Sequence, residues 1–85
     1  MAQIKNIKLL QAIAVLLKEL RAKKKLSQQE VNNDTGIHLG RLETGKHNFS
    51  VSTLDAICKY YEISTSEFYK RLEAIDKDLK ITDKK

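Results

Sequence analysis

Residues 26–46, with the sequence LSQQEVNNDTGIHLGRLETGK, decide the fold. Near their start, Ser27 is followed three residues later by Glu30. This is the spacing of a capping box, in which the hydroxyl accepts a backbone N–H and the carboxylate reaches back to the cap. Residues 32–36 are rich in cap and turn formers and end in Gly36, which can adopt a positive φ. A short helix is therefore predicted to start at the capping box and to break close to this glycine.

The second half of this stretch predicts another helix. Leu39 and Leu42 lie three residues apart within residues 37–44, as on one face of a helix of about two turns. Gly45 can close that helix in the left-handed conformation. Residues 46–49 are then predicted to form a loop.

The segment before this stretch predicts one long helix, because residues 2–25 contain no helix breaker. Its apolar residues cover about 180° of the helix surface, wider than the roughly 100° stripe that one core contact needs. Part of this arc is therefore expected to face a second surface. The clearest apolar positions are Leu9, Ile13, Leu16, Leu17 and Leu20.

Two more helices are predicted after the loop. Ser50 or Ser52 can cap the fourth helix, and Ser64 with Glu67 forms a second capping box for the fifth, which should run to about Lys80. The apolar faces of these two helices comprise Val51, Leu54, Ile57, Cys58 and Tyr61 in the fourth and Phe68, Leu72, Ile75 and Leu79 in the fifth.

The composition favours a single all-α domain. The chain has 85 residues, enough for one core, and it contains no proline to interrupt helices. We predict one domain over residues 1–80, with its core in residues 13–72, and a frayed tail over residues 81–85.

The charge distribution favours an acidic partner for the first half of the chain. Lys and Arg number 16 against 11 Asp and Glu, giving a net charge of +5, and residues 1–50 carry the whole excess. A lone Cys58 and the absence of a secretory signal pattern predict a cytoplasmic protein. The most apolar run, residues 9–17, is about half the roughly 20 residues of a membrane-spanning helix, so no membrane association is expected.

Five pieces of the sequence, in order, resemble the Cro/CI-type (XRE) helix-turn-helix family. The resemblance covers about residues 13–72 and implies a compact five-helix, lambda-repressor-like domain, here with extended first and last helices. In such domains the second and third helices form the DNA-binding helix-turn-helix, usually in a dimer on a two-fold-related operator. The pieces are Leu17-Lys18-Glu19-Leu20-Arg21, Leu26-Ser27-Gln28-Gln29-Glu30-Val31, Thr35-Gly36-Ile37, Arg41-Leu42-Glu43-Thr44-Gly45-Lys46 and Ser50-Val51-Ser52-Thr53-Leu54.

The resemblance also implies roles for individual residues. Arg21 and Glu43 match a structural ion pair that links the first helix to the end of the third. Gln28 matches a side chain that touches phosphate and steadies the recognition helix, and Arg41 matches a position that can point into the major groove. The positions of the loop that rests on the DNA backbone are Lys46, His47 and Asn48. The positions that match the core are Ile13, Leu17, Leu20, Val31, Leu39, Leu42, Leu54 and Ile57.

One departure from the family leaves two alternatives for the recognition helix. Residues 27–46 number twenty, where about twenty-three are expected, so nearly one helical turn is missing. If the second helix is shortened, Thr35 caps the recognition helix, and the residues facing DNA are Gly36, Ile37 and Arg41. If the third helix is shortened, His38 opens it and Ile37 is part of the core. The first alternative is preferred because it keeps a recognition helix of two and a half turns.

The sequence carries no pattern typical of an enzyme or a metal site. His38, His47 and Cys58 are too widely spaced for a zinc site, and no paired carboxylates, activated nucleophile or phosphate-binding glycine loop is present. We therefore expect no catalytic activity, no metal and no cofactor.

The sequence favours a sequence-specific transcriptional regulator that binds double-stranded DNA. We expect a repressor that blocks its site sterically and forms a homodimer through its first and fifth helices. The apolar surplus of these helices could instead close a larger monomeric core. An alternative function is a protein-interaction module, such as the antitoxin of a toxin–antitoxin pair, with DNA binding secondary. A third is a nucleoid-type binder without sequence preference.

Overall fold

The computed structural model of the protein describes residues 4–77, and these form an all-helical domain, as predicted. The five helices are α1 (Ile7–Lys23), α2 (Gln28–Thr35), α3 (Leu39–Leu42), α4 (Val51–Tyr60) and α5 (Thr65–Ile75).

The first helix is shorter than predicted at both ends. Asn6 is extended and its side chain accepts the N–H of Leu9 at 3.0 Å, so α1 begins at Ile7 rather than near residue 2. The helix ends before Lys25, which has a φ of 58°. The N–H of Leu26 then bonds the carbonyl of Arg21 at 3.1 Å, which is one of the bonds of a Schellman C-cap.

The capping box of α2 is confirmed, and the helix ends next to Gly36, as predicted, but the preferred role of Thr35 is wrong. The Ser27 hydroxyl accepts the N–H of Glu30, and the Glu30 carboxylate accepts the N–H of Ser27. The helix runs on to Thr35, whose hydroxyl donates to the Val31 carbonyl and accepts the N–H of Ile37. Thr35 therefore closes α2 and does not cap the recognition helix.

The missing turn lies in the recognition helix. α3 has four residues, about one turn, and the two-turn prediction is wrong. Gly36 adopts a φ of 75° at the end of α2, and His38 precedes the first residue of α3. The less favoured alternative is the correct one, since His38 opens α3 and Ile37 packs partly buried against the core.

The last two helices begin as predicted, but α5 ends early. Ser50 rather than Ser52 caps α4, and the Ser64 hydroxyl accepts the N–H of Glu67 at the start of α5. The return bond of the second capping box is replaced, because the Glu67 carboxylate accepts from Arg71 Nε at 3.0 Å. α5 stops at Ile75, since the next residue is extended. The predicted continuation to Lys80, including Leu79, and the tail over residues 81–85 lie outside the described residues.

The core is aliphatic and is built around α1. Seven residues of α1 are buried, and α1 packs against both α5 and α3. Most of its wide apolar arc is therefore used inside the domain. All eight core positions implied by the family resemblance are buried, together with Cys58 and Phe68. A helix of one turn is not stable alone, and α3 is stable here because its aliphatic side chains are buried against the other helices.

Gly45 fixes how closely the turn after α3 approaches α1. Its φ is 73°, and a Cβ on this residue would lie 3.1 Å from the Cα of Gln11. Both the backbone conformation and the close contact favour glycine at this position.

The three tyrosines lie at different depths. Tyr61 is buried, and its hydroxyl has no hydrogen-bond partner among residues 4–77. Tyr60 donates to the Asp34 carboxylate at 2.7 Å, a bond that joins the end of α4 to α2 and raises the pKa of Tyr60 to about 12. Tyr69 is exposed on α5.

Candidate nucleic-acid interface

A buried ion pair joins the end of α1 to the end of α3. Arg21 Nε donates to Glu43 Oε2 at 2.8 Å, and Arg21 Nη2 donates to Glu43 Oε1 at 3.0 Å. The Glu43 side chain is only 2% exposed, whereas that of Arg21 is 23% exposed. A third bond runs from Arg21 Nη1 to the carbonyl of Leu26 at 3.1 Å. The hydrogen bond to Glu43 raises the pKa of Arg21, so the guanidinium is always charged.

Gln28 extends this ion pair to the start of α2. Its Nε2 donates to Glu43 Oε1 at 2.9 Å, so the carboxylate is held by two residues from two helices. The Oε1 of Gln28 lies over α3, where a Cβ on Gly40 would come within 3.2 Å of it. Glycine at position 40 therefore gives the Gln28 side chain room between the two helices.

The first backbone N–H of α3 is capped from α2. Asn32 Oδ1 accepts the N–H of Leu39 at 2.9 Å, whereas the side chain of His38 makes no capping bond. The sequence did not reveal this positioning role of Asn32, because Asn32 was interpreted only as a turn former. A cap seven residues away leaves no local signature, since capping side chains are normally sought next to the helix that they cap.

Replacing Asn32 with Ala is expected to lower the free energy of unfolding by about 1 kcal/mol, because a helix cap is lost. DNA affinity should fall as well, since α3 loses its fixed orientation on α2. Urea unfolding and DNA titration measure the two effects. Asn32→Asp should retain both properties, because the carboxylate keeps an acceptor for the Leu39 N–H.

Asn33→Ala is the matched control for this change. Asn33 accepts only from Gln29 within α2, at an exposed position. Equal losses of affinity for Asn32→Ala and Asn33→Ala would show that the cap does not orient α3.

A surface depression of about 270 Å³ lies between α3 and the loop that follows it. Arg41 and His38 are exposed at this depression, and His47 is half-buried. Among residues 4–77 no acidic side chain lines it, and Arg41 is the one permanently charged lining residue. Six of the predicted DNA-contacting residues are brought together here. The lining residues are Gly36, Ile37, His38, Arg41, Leu42, His47, Asn48 and Thr53.

The remaining predicted residues lie outside this depression. Gln28 is exposed beside α3, and Thr35 is half-buried at the end of α2. Lys46 is exposed, and its N–H donates to the Thr44 hydroxyl at 3.3 Å. Within the lining, the side-chain amide of Asn48 is engaged, because its Nδ2 donates to the carbonyl of Ile4 at 2.9 Å.

The titrating side chains do not form a metal centre in the described structure. Within residues 4–77, no three His, Cys, Asp or Glu side chains converge as metal ligands would. Cys58 is buried in the core, and this burial raises the pKa of its thiol, which disfavours the reactive thiolate.

The helix-turn-helix class of DNA-binding proteins is defined by two short helices, the second of which enters the DNA groove. In this protein the two helices are α2 and α3, and α3 forms a basic face with the loop that follows it. The sequence model of the family described as helix-turn-helix matches residues 17–68, which is more than half of the chain. The chain therefore belongs to the Cro/CI-type (XRE) helix-turn-helix family, whose members are DNA-binding regulators. No curated protein and no solved structure matches the chain significantly. Among the described residues, no helix has the length and apolar character needed to cross a bilayer.

Proposed function

We propose that this protein is a sequence-specific transcriptional repressor that binds a two-fold-related operator as a homodimer. The observation that carries the proposal is the presentation of α3. This helix is a single turn, and it is held in place by the Asn32 cap and by the ion pair that links Arg21 to Glu43. Arg41 projects from it with its side chain exposed. So much internal bonding around four residues fits a helix that must enter a groove in one orientation.

The proposed contacts divide between bases and backbone. Gly36 and Gly40 offer no side chains to base edges, so direct readout falls on Arg41, with Ile37 as an apolar contact. Arg41 can pair with guanine O6 and N7 through its planar guanidinium. The residues proposed to hold the phosphate backbone are Gln28, Thr35, Lys46, His47 and Asn48.

A dimer is proposed because a one-turn recognition helix reads only a few base pairs. Two copies would place two recognition helices in successive major grooves, about 34–36 Å apart. Occupation of such a site blocks other proteins sterically, which supports repression. The proposed interface uses α1 and α5. On these helices Val15 is 45% exposed and Ile75 is 38% exposed, and both line one surface depression of about 200 Å³.

Val15→Lys is expected to convert the dimer to a monomer without unfolding the protein, because the side chain already contacts water and a charge would be buried in the interface. Analytical ultracentrifugation at tens of micromolar measures the change. Val51→Lys is the matched control, since Val51 is 83% exposed on α4. A monomeric wild type would refute the dimer. Dissociation by Val51→Lys alone would move the interface away from α1 and α5.

Selection of bound sites from a random DNA pool tests the proposed function. The expected result is an inverted repeat, because a two-fold dimer reads the same sequence twice. Recovery of unrelated sequences with equal affinity would refute sequence-specific regulation and favour a nucleoid-type binder.

A further inference from the structure

We infer that the depression beside α3 binds a DNA backbone phosphate through protonated His38 and His47, so that DNA binding takes up protons and weakens as the pH rises. This inference rests on the proposed function, and it specifies the chemistry of one part of the same face.

His38 and His47 both line one small depression. His38 opens α3, and His47 lies in the loop that follows it, nine residues later in the chain. They line the same depression of about 270 Å³, together with Arg41. Ile37 and Leu42 are its apolar lining residues. A depression lined by Arg41 and two histidines, with no carboxylate among its described lining residues, suits one tetrahedral oxyanion at the edge of a duplex.

Neither imidazole is bonded to another part of the described structure. Within residues 4–77, His38 and His47 make no side-chain hydrogen bond or ion pair. Since no carboxylate of the described residues lines the depression, none of them neutralises the protonated rings. The charge of these rings is thus available to an external anion.

The acidic groups on the adjoining elements are already bonded elsewhere. In α2 the Asp34 carboxylate accepts from Tyr60, and after α3 the Glu43 carboxylate is held by Arg21 and Gln28. In α4, Asp55 pairs with Lys59 at 3.0 Å. The other charges near the depression are the cations Arg41, which lines it, and Lys46, in the same loop as His47.

The chemistry of histidine then gives the sign of the effect. Histidine is the side chain that ordinarily changes charge between pH 5 and pH 8. A protonated imidazole forms a charge-assisted hydrogen bond with a phosphate oxygen, whereas a neutral ring contributes no charge. Phosphate binding therefore favours the protonated rings, and by linkage a lower pH favours binding. Affinity should be highest at acidic pH and should fall as the histidines become neutral.

The experiment measures affinity of the full chain for a fluorescent duplex at pH 6.0 and pH 8.0, at one ionic strength. The duplex carries the selected site, or a random sequence if selection recovers none. We expect binding to be weaker at pH 8.0 by roughly tenfold for each engaged histidine. The double variant His38→Gln, His47→Gln should bind weakly at both values, with little dependence on pH.

Lys46→Gln is the matched control, because it removes a cation of the same face that does not titrate in this range. It should weaken binding by the same factor at both pH values. Two results would overturn the inference and leave DNA binding intact: affinity of the wild type that does not change with pH, or an undiminished pH dependence in the double variant. Failure of the folded wild type to bind any duplex at either pH would instead overturn the proposed function, and the inference with it.

Discussion

Arg21→Met is expected to lower the free energy of unfolding by about 3–5 kcal/mol, because it leaves the Glu43 carboxylate buried without its cation. Within the described part of the chain, Gln28 would be the only side chain still bonded to that carboxylate. Glu43→Gln should cost less, since the Arg21 guanidinium is partly exposed and keeps its bond to the Leu26 carbonyl. Urea unfolding followed by circular dichroism measures both changes.

The double variant Arg21→Met, Glu43→Leu should recover much of this loss, because it leaves neither charge buried. Lys24→Met is the matched control. Lys24 also pairs with a glutamate, Glu62, at 2.8 Å, but both side chains of this pair are well exposed. Little change is expected in the control. Equal effects of Arg21→Met and Lys24→Met would contradict a buried ion pair that supports α3, and so would an unchanged melting temperature for Glu43→Gln.

Arg41→Ala is expected to remove sequence preference at one position of each operator half-site. A bidentate arginine–guanine contact contributes about 1–3 kcal/mol of discrimination, so relative affinities at that position should fall by roughly tenfold to a hundredfold. The stability of the fold should not change, because the Arg41 side chain makes no hydrogen bond within the described structure. Repeating the selection from a random pool with the variant measures the preference directly.

Lys46→Ala separates this effect from a general loss of positive charge. A phosphate contact supplies affinity for all sequences, so the variant should bind every duplex more weakly and keep the wild-type preference. If Arg41→Ala selects the wild-type site with undiminished preference, Arg41 does not read a base.

The helix starts that could be predicted from the sequence are those whose capping residues lie within one helical turn of the N–H groups that they accept. Ser27, Ser50 and Ser64 each accept a backbone N–H three residues later, and each begins a helix at the expected place. The core positions were predictable for the same reason, since apolar spacing along one helix reports which face is buried.

Some helix boundaries were predicted wrongly, and the choice between shortening α2 and shortening α3 depends on a contact between helices. The choice between shortening α2 and shortening α3 could not be made locally, because Thr35 and His38 are both plausible at a helix start. Asn32 decides it by capping Leu39 from the preceding helix. The start of α1 depends on the Asn6 cap and the end of α5 on the extended backbone of Asp76, where no glycine or proline marks the break.

The candidate site was partly predictable. Family resemblance implied the link between Arg21 and Glu43, and the two residues are in contact in the structure. Spacing could not predict that Gln28 bonds Glu43 over Gly40, nor that Asn48 is engaged with Ile4, since these contacts join residues far apart in the chain. The depression that gathers His38, Arg41 and His47 depends on the same tertiary arrangement.

Amide chemical shifts, mapped during titration with a duplex that carries the selected site, show directly whether α3 enters DNA. The largest shifts are expected at the start of α2, in residues 36–41 and in residues 46–48. Amides in the middle of α5 should shift little, because they lie on the proposed dimer side. Large shifts confined to α1 and α5, with α3 unchanged, would contradict the assignment of α3 as the helix that enters DNA.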